Sequence, residues 1–533
     1  MAEVAGADAP PAVPDRGRAK SLVLIGFMGA GKSSAARAAA VTSDPVDLDA
    51  LLERRLGMTV AEYFERHGEV AFRAKEEELA CEVLDGSDAE VIALGGGAVG
   101  SERVREALGR NVVALLDVGV EEAWGRVAGD PRRPLAQDRR AFERLYAERA
   151  SLYEGLADAV VVGGNAAQVA EAIGWLAAEA SRFPEARMLW ASSASGSYPA
   201  WFGTDIIGAV PTRASGRSFC VTDENVGPIY SERVAAEATV AVSPGEASKS
   251  IHTAESIWGA LARAGARRDD HLVGLGGGVV GDLAGFCAAT YQRGVPVVQI
   301  PTSLVGQVDS AFGGKTGVDL PEAKNYVGAY HQPAGVVCDL QALTTLPPAE
   351  LAAGWAEVVK TALIAGGGLW QMVSAFDASD LGNPSAMEPI VFECARTKVE
   401  VVAADERDSG RRAVLNLGHT VAHAIETATD YARYRHGEAV ALGLLAALRL
   451  SGATELRDEV SALVEAVGLP TRIDAGVDPD ELLQAMRRDK KSDAEGVRFV
   501  ACEAPGEVTW GHRFSDAEVL AAVSELARPG RDG

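Results

Sequence analysis

Positive charge is scarce in this chain: 51 Lys and Arg stand against 75 Asp and Glu, a formal net charge of −24. A surface that negative repels phosphate backbones and anionic lipid, which excludes non-specific nucleic-acid and membrane-surface partners. It also means that an anionic small molecule needs cations gathered locally. Cysteine is sparse too. The six, Cys81, Cys220, Cys287, Cys338, Cys394 and Cys502, are scattered and form no C-x-x-C pair. They read as reduced thiols of a cytoplasmic protein, not as a disulfide frame or a zinc knuckle. No uninterrupted apolar run is long enough to span a bilayer. Residues 1–19 are rich in Ala, Pro and charge and lack an apolar segment, so they read as a loose tail and not a signal peptide. What is present is ordinary for a globular protein, 47% apolar and 24% charged residues. At 533 residues the chain exceeds one core, and roughly two to four domains are expected.

Histidine is rare as well, yet three of the eight fall close together. In residues 415–426 (LNLGHTVAHAIE), His419 and His423 are four apart and share one face of a helix. His436 follows in RHGEA, and a carboxylate, Glu357, lies upstream in GWAEVVKTALI. A helix that happens to carry two histidines is the plainer reading; the third histidine and the carboxylate outweigh it. Two histidines and one carboxylate with an open position suit catalytic zinc. Thr420 takes the Glu place of H-E-x-x-H, so this is not the metalloprotease pattern. Pattern alone leaves open which two of the three histidines bind.

Residues 21–25 (SLVLI) read as a buried strand running into 26–33 (GFMGAGKS) and then a helical segment. This is the G-x-x-x-x-G-K-S phosphate loop in its strand–loop–helix setting. Its backbone N–H groups close around phosphate oxygens, Lys32 neutralises β/γ charge, and the Ser33 hydroxyl suits Mg²⁺. In PVDLDALLERRLG, Asp47 and Asp49 are i, i+2 and on a strand end would point the same way. An N-capping acid is the plainer reading for either alone. Arg73 lies in VAFRAKEEEL, Gly95, Gly96 and Gly97 follow a short strand, and Arg133 (DPRRPL) and Arg149 (ERASLYEGLAD) complete a set of cations for a polyphosphate.

GFMGAGKS, D-x-D, FR, GGG and RRPL, in that order over residues 20–178, resemble shikimate kinase, a P-loop kinase with a parallel sheet and flanking helices. A gluconate-type kinase is the alternative within the class. The resemblance implies ATP on Gly29, Ala30, Gly31, Lys32, Ser33 and Ser34, with Arg133 over it in a lid. Mg²⁺ would sit on Ser33 and Asp47. Shikimate would sit on Asp49, Arg73, Gly95, Gly96, Gly97 and Arg149, with Lys32 and Asp49 catalytic. One departure is the segment between Ser33 and Asp47, which is short for that family. Residues 179–187 are expected to be a linker, and SSASGSYP beyond them a surface loop.

In the remainder, residues 218–223 (SFCVTD) read as a strand with Asp223 at its carboxyl end. Residues 243–250 (SPGEASKS) turn into a helix and would show Glu246 and Lys249 on one face. HLVGLGGGVVGDLAGF satisfies G-x-G-x-x-G at Gly276, Gly278 and Gly281, but Asp282 follows directly and no acid stands about 20 residues on. The expectation is therefore a non-standard dinucleotide site in a Rossmann-like α/β half, 188–346. Thr302, Ser303, Asp309, Lys315, Lys324 and Asn325 then crowd together. Any single lysine there reads as solvated, but so many cations beside Gly, Thr and Asn in an acidic chain read as a phosphate or carboxylate pocket. Residues 347–533 read as mainly helical and carry Glu357, Lys360, Lys398, Asp408, Arg412, Asn416, the histidines, and Lys490 and Lys491.

TDEN, GEASKS, GGGVVGDLAGF, IPTSLVGQVDS, GGKTGVD, AEVVK, LNLGHTVAHAIE, HGEA and DKK together resemble 3-dehydroquinate synthase over about residues 188–533. The resemblance implies zinc or cobalt on Glu357, His419 and His436, leaving His423 for substrate and proton work. NAD would lie near Asp223, Asn225, Glu246, Lys249, Gly278, Val279, Asp282, Thr302, Ser303, Lys315, Lys324, Thr344 and Thr345. Substrate would meet Arg293, Asp309, Lys315, Asn325, Lys360, Lys398, Arg412, Asn416, His423 and Lys490 or Lys491, with Lys315, Asp408 and His423 catalytic. Ser303 stands for a usual Thr, Ala422 for a usual Gly, and Asp408 for a common Glu. The implied substrate is a heptulosonate phosphate, whose carboxylate and phosphate account for the cations. The resemblance implies that NAD⁺ would oxidise its hydroxyl, acidifying the neighbouring C–H and letting phosphate leave, and that return of the hydride, ring opening and an aldol closure would follow. Rival readings are another sugar-phosphate cyclase, a metal-dependent polyol dehydrogenase, and a non-enzymatic scaffold, which the intact Lys32 and Glu357/His419/His436 sets oppose. Likeness to dimeric relatives raises a homodimer through this half.

Overall fold

The computed structural model describes residues 21–39, 44–86, 89–130, 136–180, 183, 185–488 and 497–527. Arg133, Lys490, Lys491 and part of the short segment before Asp47 lie outside these. The chain divides into two compact units, residues 1–161 with 165–184, and residues 162–164 with 185–533.

In the first unit, β1 (Leu22–Ile25) is apolar at every position and wholly buried. A central parallel strand is covered on both faces and has no need of alternation. It pairs in parallel with β3 (Val91–Ala93) on one side and β4 (Val112–Asp117) on the other. With β2 (Val46–Asp47) and β5 (Ala159–Val162) the order is β2–β3–β1–β4–β5. Chain order reverses around β1, and in open α/β sheets ligands bind beyond the strand ends at that point. The phosphate loop leaves β1 there and enters the helix Lys32–Ala39. Gly29 holds φ +87, and a Cβ on it would stand 2.8 Å from the Ala123 carbonyl oxygen, so the loop needs glycine at this place.

The second unit opens with an antiparallel hairpin, β6 (Arg187–Ser193) and β7 (Gly196–Gly203). The expected surface loop SSASGSYP is in fact strand, turn and strand, with Ser192, Ser193, Ser197 and Tyr198 buried. Small residues hide a strand from pattern reading because they carry little apolar signal. β8 (Ser218–Asp223), β9 (Ala236–Val242), β10 (His271–Gly276), β11 (Val297–Pro301) and β14 (Gly335–Asp339) extend it in parallel, in the order β6–β7–β14–β11–β10–β8–β9. Phe219, Ile257, Leu272, Leu283 and Val297 belong to the core between this sheet and the helices Ile251–Arg263 and Gly278–Thr290. β12 (Lys315–Leu320) and β13 (Ala323–Tyr330) form a separate hairpin.

From Pro348 the unit is mainly helical, with one late hairpin of β15 (Phe499–Ala504) and β16 (Glu507–His512). The helix Pro348–Ala365 is buried at every residue from Leu351 to Leu363, the mark of a central helix. Two of those residues are Glu357 and Lys360, and buried charges must be paired. All six cysteines are free thiols. Among the described residues, no helix is long and apolar enough to cross a membrane.

Candidate active sites

In the first unit Lys32 folds over its own loop, donating to the Gly26 carbonyl at 2.7 Å and the Phe27 carbonyl at 3.3 Å. Ser33 and Asp47 line one open groove. Asp47 also caps the helix Leu48–Leu56, accepting the Ala50 N–H at 3.2 Å. This corrects the shared-strand reading of Asp47 and Asp49. The cap ends β2 at Asp47, which puts Asp49 in the first helical turn and turns it toward Gly95.

The three glycines meet a dense set of polar groups. A Cβ on Gly97 would stand 1.8 Å from Arg73 Nη1, and one on Gly95 would stand 2.5 Å from Glu76 Oε1 and 2.9 Å from Asp49 Oδ1. Arg149 donates to the Gly96 carbonyl at 3.2 Å, and so does the Tyr153 hydroxyl. Arg73 is paired with buried Glu76 at 2.5 Å. Burial pushes the Glu76 carboxyl up against the opposing pull of Arg73. Sequence reading missed Glu76, although R-x-x-E was there to find. Three consecutive glutamates obscured which one turns inward.

In the second unit one cavity of about 2130 Å³ takes lining from the sheet half and the helical half. On the sheet side Asp223 accepts the Asn225 and Val226 N–H groups, at 2.8 and 2.9 Å. The amino end of the helix Gly278–Thr290 opens onto the cavity through Gly278, Val279 and Asp282, beside Thr302 and Ser303. Helix amino ends favour anions. Lys249 bridges Asp282 and Asn325, each at 2.5 Å. Burial works to lower its pKa, but Asp282 and Glu246 outweigh it and hold the ammonium charged. Lys324 is 3.9 Å from Glu246, and Lys315 is 2.5 Å from Asp408, whose φ is +61.

Deeper in, charges alternate. Glu357 is 2.5 Å from Lys360, Lys360 is 3.0 Å from Asp309, and Asp309 also accepts from Lys398. Burial favours a neutral Asp309, yet Lys360 and Lys398 hold its carboxyl well below the usual range. Lys398 falls below its ordinary value, because burial and the nearby Lys360 and Arg412 outweigh Asp309. At the far end Glu357 Oε1 lies 3.5 Å from His419 Nε2 and 3.2 Å from His436 Nε2. Ligand atoms of these three residues lie within 4.8 Å of one another. The Leu417 carbonyl holds His419 Nδ1 at 3.2 Å, and Glu426 holds His436 Nδ1 at 3.3 Å. Both Nε2 atoms therefore face the carboxylate, as a donor set for a divalent cation should.

Family models match both units: shikimate kinase over residues 28–176, 3-dehydroquinate synthase N-terminal over 239–353 and 3-dehydroquinate synthase C-terminal over 354–492. A 3-dehydroquinate synthase of Symbiobacterium thermophilum is 46% identical over 334 residues, which is 58% of this chain and 92% of that protein. The one of Halorhodospira halophila is 44% identical over 342 residues, 62% and 96% respectively. The chain belongs to the 3-dehydroquinate synthase family. With shikimate kinase as its first unit, it is a bifunctional shikimate-pathway enzyme, a kinase and a lyase in one polypeptide. A solved 2-epi-5-epi-valiolone synthase of Streptomyces hygroscopicus subsp. jinggangensis, with NAD+ and Zn2+ bound, shares the fold of the synthase unit. It is 24% identical, with a TM-score of 0.57, covering 63% of this chain and 98% of that one.

Some expected residues of the synthase unit stand elsewhere. Arg293 is exposed on a turn with φ +70, outside the cavity lining, because the helix Gly278–Thr290 has ended before it. Thr344 is exposed and bonds the Gln341 carbonyl at 2.8 Å within its own turn, whereas its neighbour Thr345 lines the cavity. Lys360 is too deeply buried to line the cavity and is paired instead with Asp309 and Glu357. The segment LNLGHTVAHAIE is not one helix. Arg411–Asn416 is a 3₁₀ turn, Gly418 holds φ +78, and the α-helix begins at His419.

Proposed function

We propose that the kinase unit transfers the γ-phosphoryl group of MgATP to shikimate. We further propose that the synthase unit converts 3-deoxy-D-arabino-heptulosonate 7-phosphate to 3-dehydroquinate with release of phosphate. The observation that carries the second reading is the convergence of Glu357, His419 and His436 within 4.8 Å, on a cavity that Lys315, Lys398 and Arg412 also line.

In the kinase unit, backbone N–H groups of Gly29, Ala30 and Gly31 with Lys32, Ser33 and Ser34 would hold the phosphates, and Ser33 and Asp47 the Mg²⁺. Asp49, Arg73 and Arg149 would fix shikimate over the three glycines, with Asp49 at the reacting hydroxyl. Phosphoryl transfer asks for positioning and charge neutralisation, which these residues supply.

In the synthase unit, Glu357, His419 and His436 would hold zinc or cobalt. Bound there, the cation supplies Lewis acidity toward a substrate oxygen and NAD supplies reversible hydride transfer. Burial, Lys360 and His436 push His419 down to about 4 against the pull of Glu357, so its imidazole is neutral and ready to ligate. Asp223, Asn225 and Lys249 would orient the nucleotide, with its phosphates at the amino end of the helix Gly278–Thr290. Asn325, Lys398, Arg412 and Asn416 would hold the carboxylate and phosphate of the substrate, with Lys315, Asp408 and His423 moving protons. A homodimer through the synthase unit belongs to the same reading.

The test supplies the full chain with the seven-carbon phosphate, NAD⁺ and zinc. Phosphate and dehydroquinate should form together with no net NADH. Accumulating NADH would instead mark a dehydrogenase and remove the cyclase reading.

A further inference from the structure

Glu406 is a buried carboxylate, 7% exposed, to which the proposed reaction gives no task. It does not line the cavity. Its partners come from far along the chain. The Ser195 N–H donates to it at 3.1 Å, the Ser195 hydroxyl donates as well, and Gln332 Nε2 donates at 2.8 Å. Ser195 is in the turn of the β6–β7 hairpin, and Gln332 follows β13. The Glu406 carbonyl accepts from Arg412 Nη1 at 2.6 Å, and Arg412 also reaches the Gly313 carbonyl at 3.3 Å. Burial works to raise the Glu406 carboxyl, but Ser195 and Gln332 outweigh it and hold it below its ordinary value.

The residues that follow form a closed loop. The Asp405 carboxylate accepts the N–H groups of Ser409, Gly410 and Arg412, at 2.9, 2.7 and 3.0 Å. The loop presents two groups at the cavity: Asp408, paired with Lys315, and Arg412. Asp405 thus fixes the loop's internal shape, while Glu406 fixes where that shape sits against the sheet half.

We infer that Glu406 is a positioning residue: it latches loop 405–412 to the β6–β7 turn and so sets Arg412 and Asp408 for the phosphorylated substrate. This rests on the cyclase reading. An apolar residue would fill the same space without fixing a register. Glutamine would turn an NH₂ toward groups that are themselves donors.

Two full-length variants test it, Glu406→Gln and Ser195→Ala; Ser195 does not line the cavity. Hydrogen exchange across 407–412 should quicken roughly tenfold or more in both. For Glu406→Gln, kcat/KM for the sugar phosphate should fall by up to roughly 100-fold, with a smaller fall for Ser195→Ala. The KM for NAD⁺ and shikimate phosphorylation should stay at wild-type values. Unchanged exchange in the loop overturns the proposal, and so does a parallel decline for NAD⁺ and sugar phosphate, which would mean general loosening of the unit. If Glu406→Gln does not fold, Ser195→Ala decides alone. A wild-type chain that releases no phosphate refutes the cyclase reading, while exchange still judges the latch.

Discussion

At the scale of the residue, the ring nitrogens of His419 and His436 divide their work. In each, Nδ1 is anchored to oxygen and Nε2 faces Glu357. His436→Ala should therefore lose bound zinc or cobalt, whereas His423→Ala should keep it. Elemental analysis of the purified chains checks this, and equal metal in both would contradict the ligand assignment. Burial works to lower the His436 pKa, but Glu357 and Glu426 raise it to about 10 in the ion-free protein. A cation must displace that proton, so metal affinity should weaken as pH falls. The sequence displayed all three histidines and the carboxylate but could not choose among them, because the choice depends on how two helices pack. Glu426 escaped notice, although 419, 423 and 426 share a helical face and that spacing could have found it.

At the scale of the element, apolar runs such as β1 and β8 were legible because each strand is buried on both faces. β6 and β7 were not, because residues 191–197 (ASSASGS), where the two strands meet, carry little apolar signal. Helix starts were read less well. Either acid could cap by residue type, and the structure has Asp47 accepting the Ala50 N–H while Asp49 enters the first turn. Strand ends also carry charge. Where β10 begins, Asp270 accepts from the Arg217 N–H at 2.9 Å, Arg217 Nη2 at 2.8 Å and the Arg267 N–H at 2.8 Å, tying it to the start of β8. Burial works to raise this carboxyl, but Arg217 and the backbone N–H groups outweigh it and hold it down at about 2. A depressed carboxyl stabilises above its unfolded pKa of about 3.9 and loses that contribution as pH falls toward 2. Asp270→Asn should thus cost the synthase unit no more than about 2 kcal/mol at pH 7, with about half of that gap left at pH 3. Denaturant unfolding at the two pH values measures it; a gap independent of pH would contradict the assignment.

At the scale of the molecule, each unit carries its own set of site residues: Lys32 and its neighbours fall in one, the Glu357 triad in the other. Lys32→Ala should abolish ATP-dependent phosphorylation of shikimate and leave phosphate release from the sugar phosphate intact. Parallel assays on one preparation suffice, and loss of both activities would refute independent units. This division into two chemistries was the most legible property of the chain, since each motif set is continuous along it. Arg293 and Thr344 show the limit, since a residue type and its spacing do not say where a turn will aim a side chain.

The row Glu357, Lys360, Asp309, Lys398 has an evolutionary consequence. Each member is neutralised by its neighbours, so replacing any one alone strands an opposite charge at a largely buried position, at a cost of about 3–5 kcal/mol. Single steps through this row are closed to a descendant lineage. New substrates must instead be explored along the rim, or by exchanges that arrive in couples.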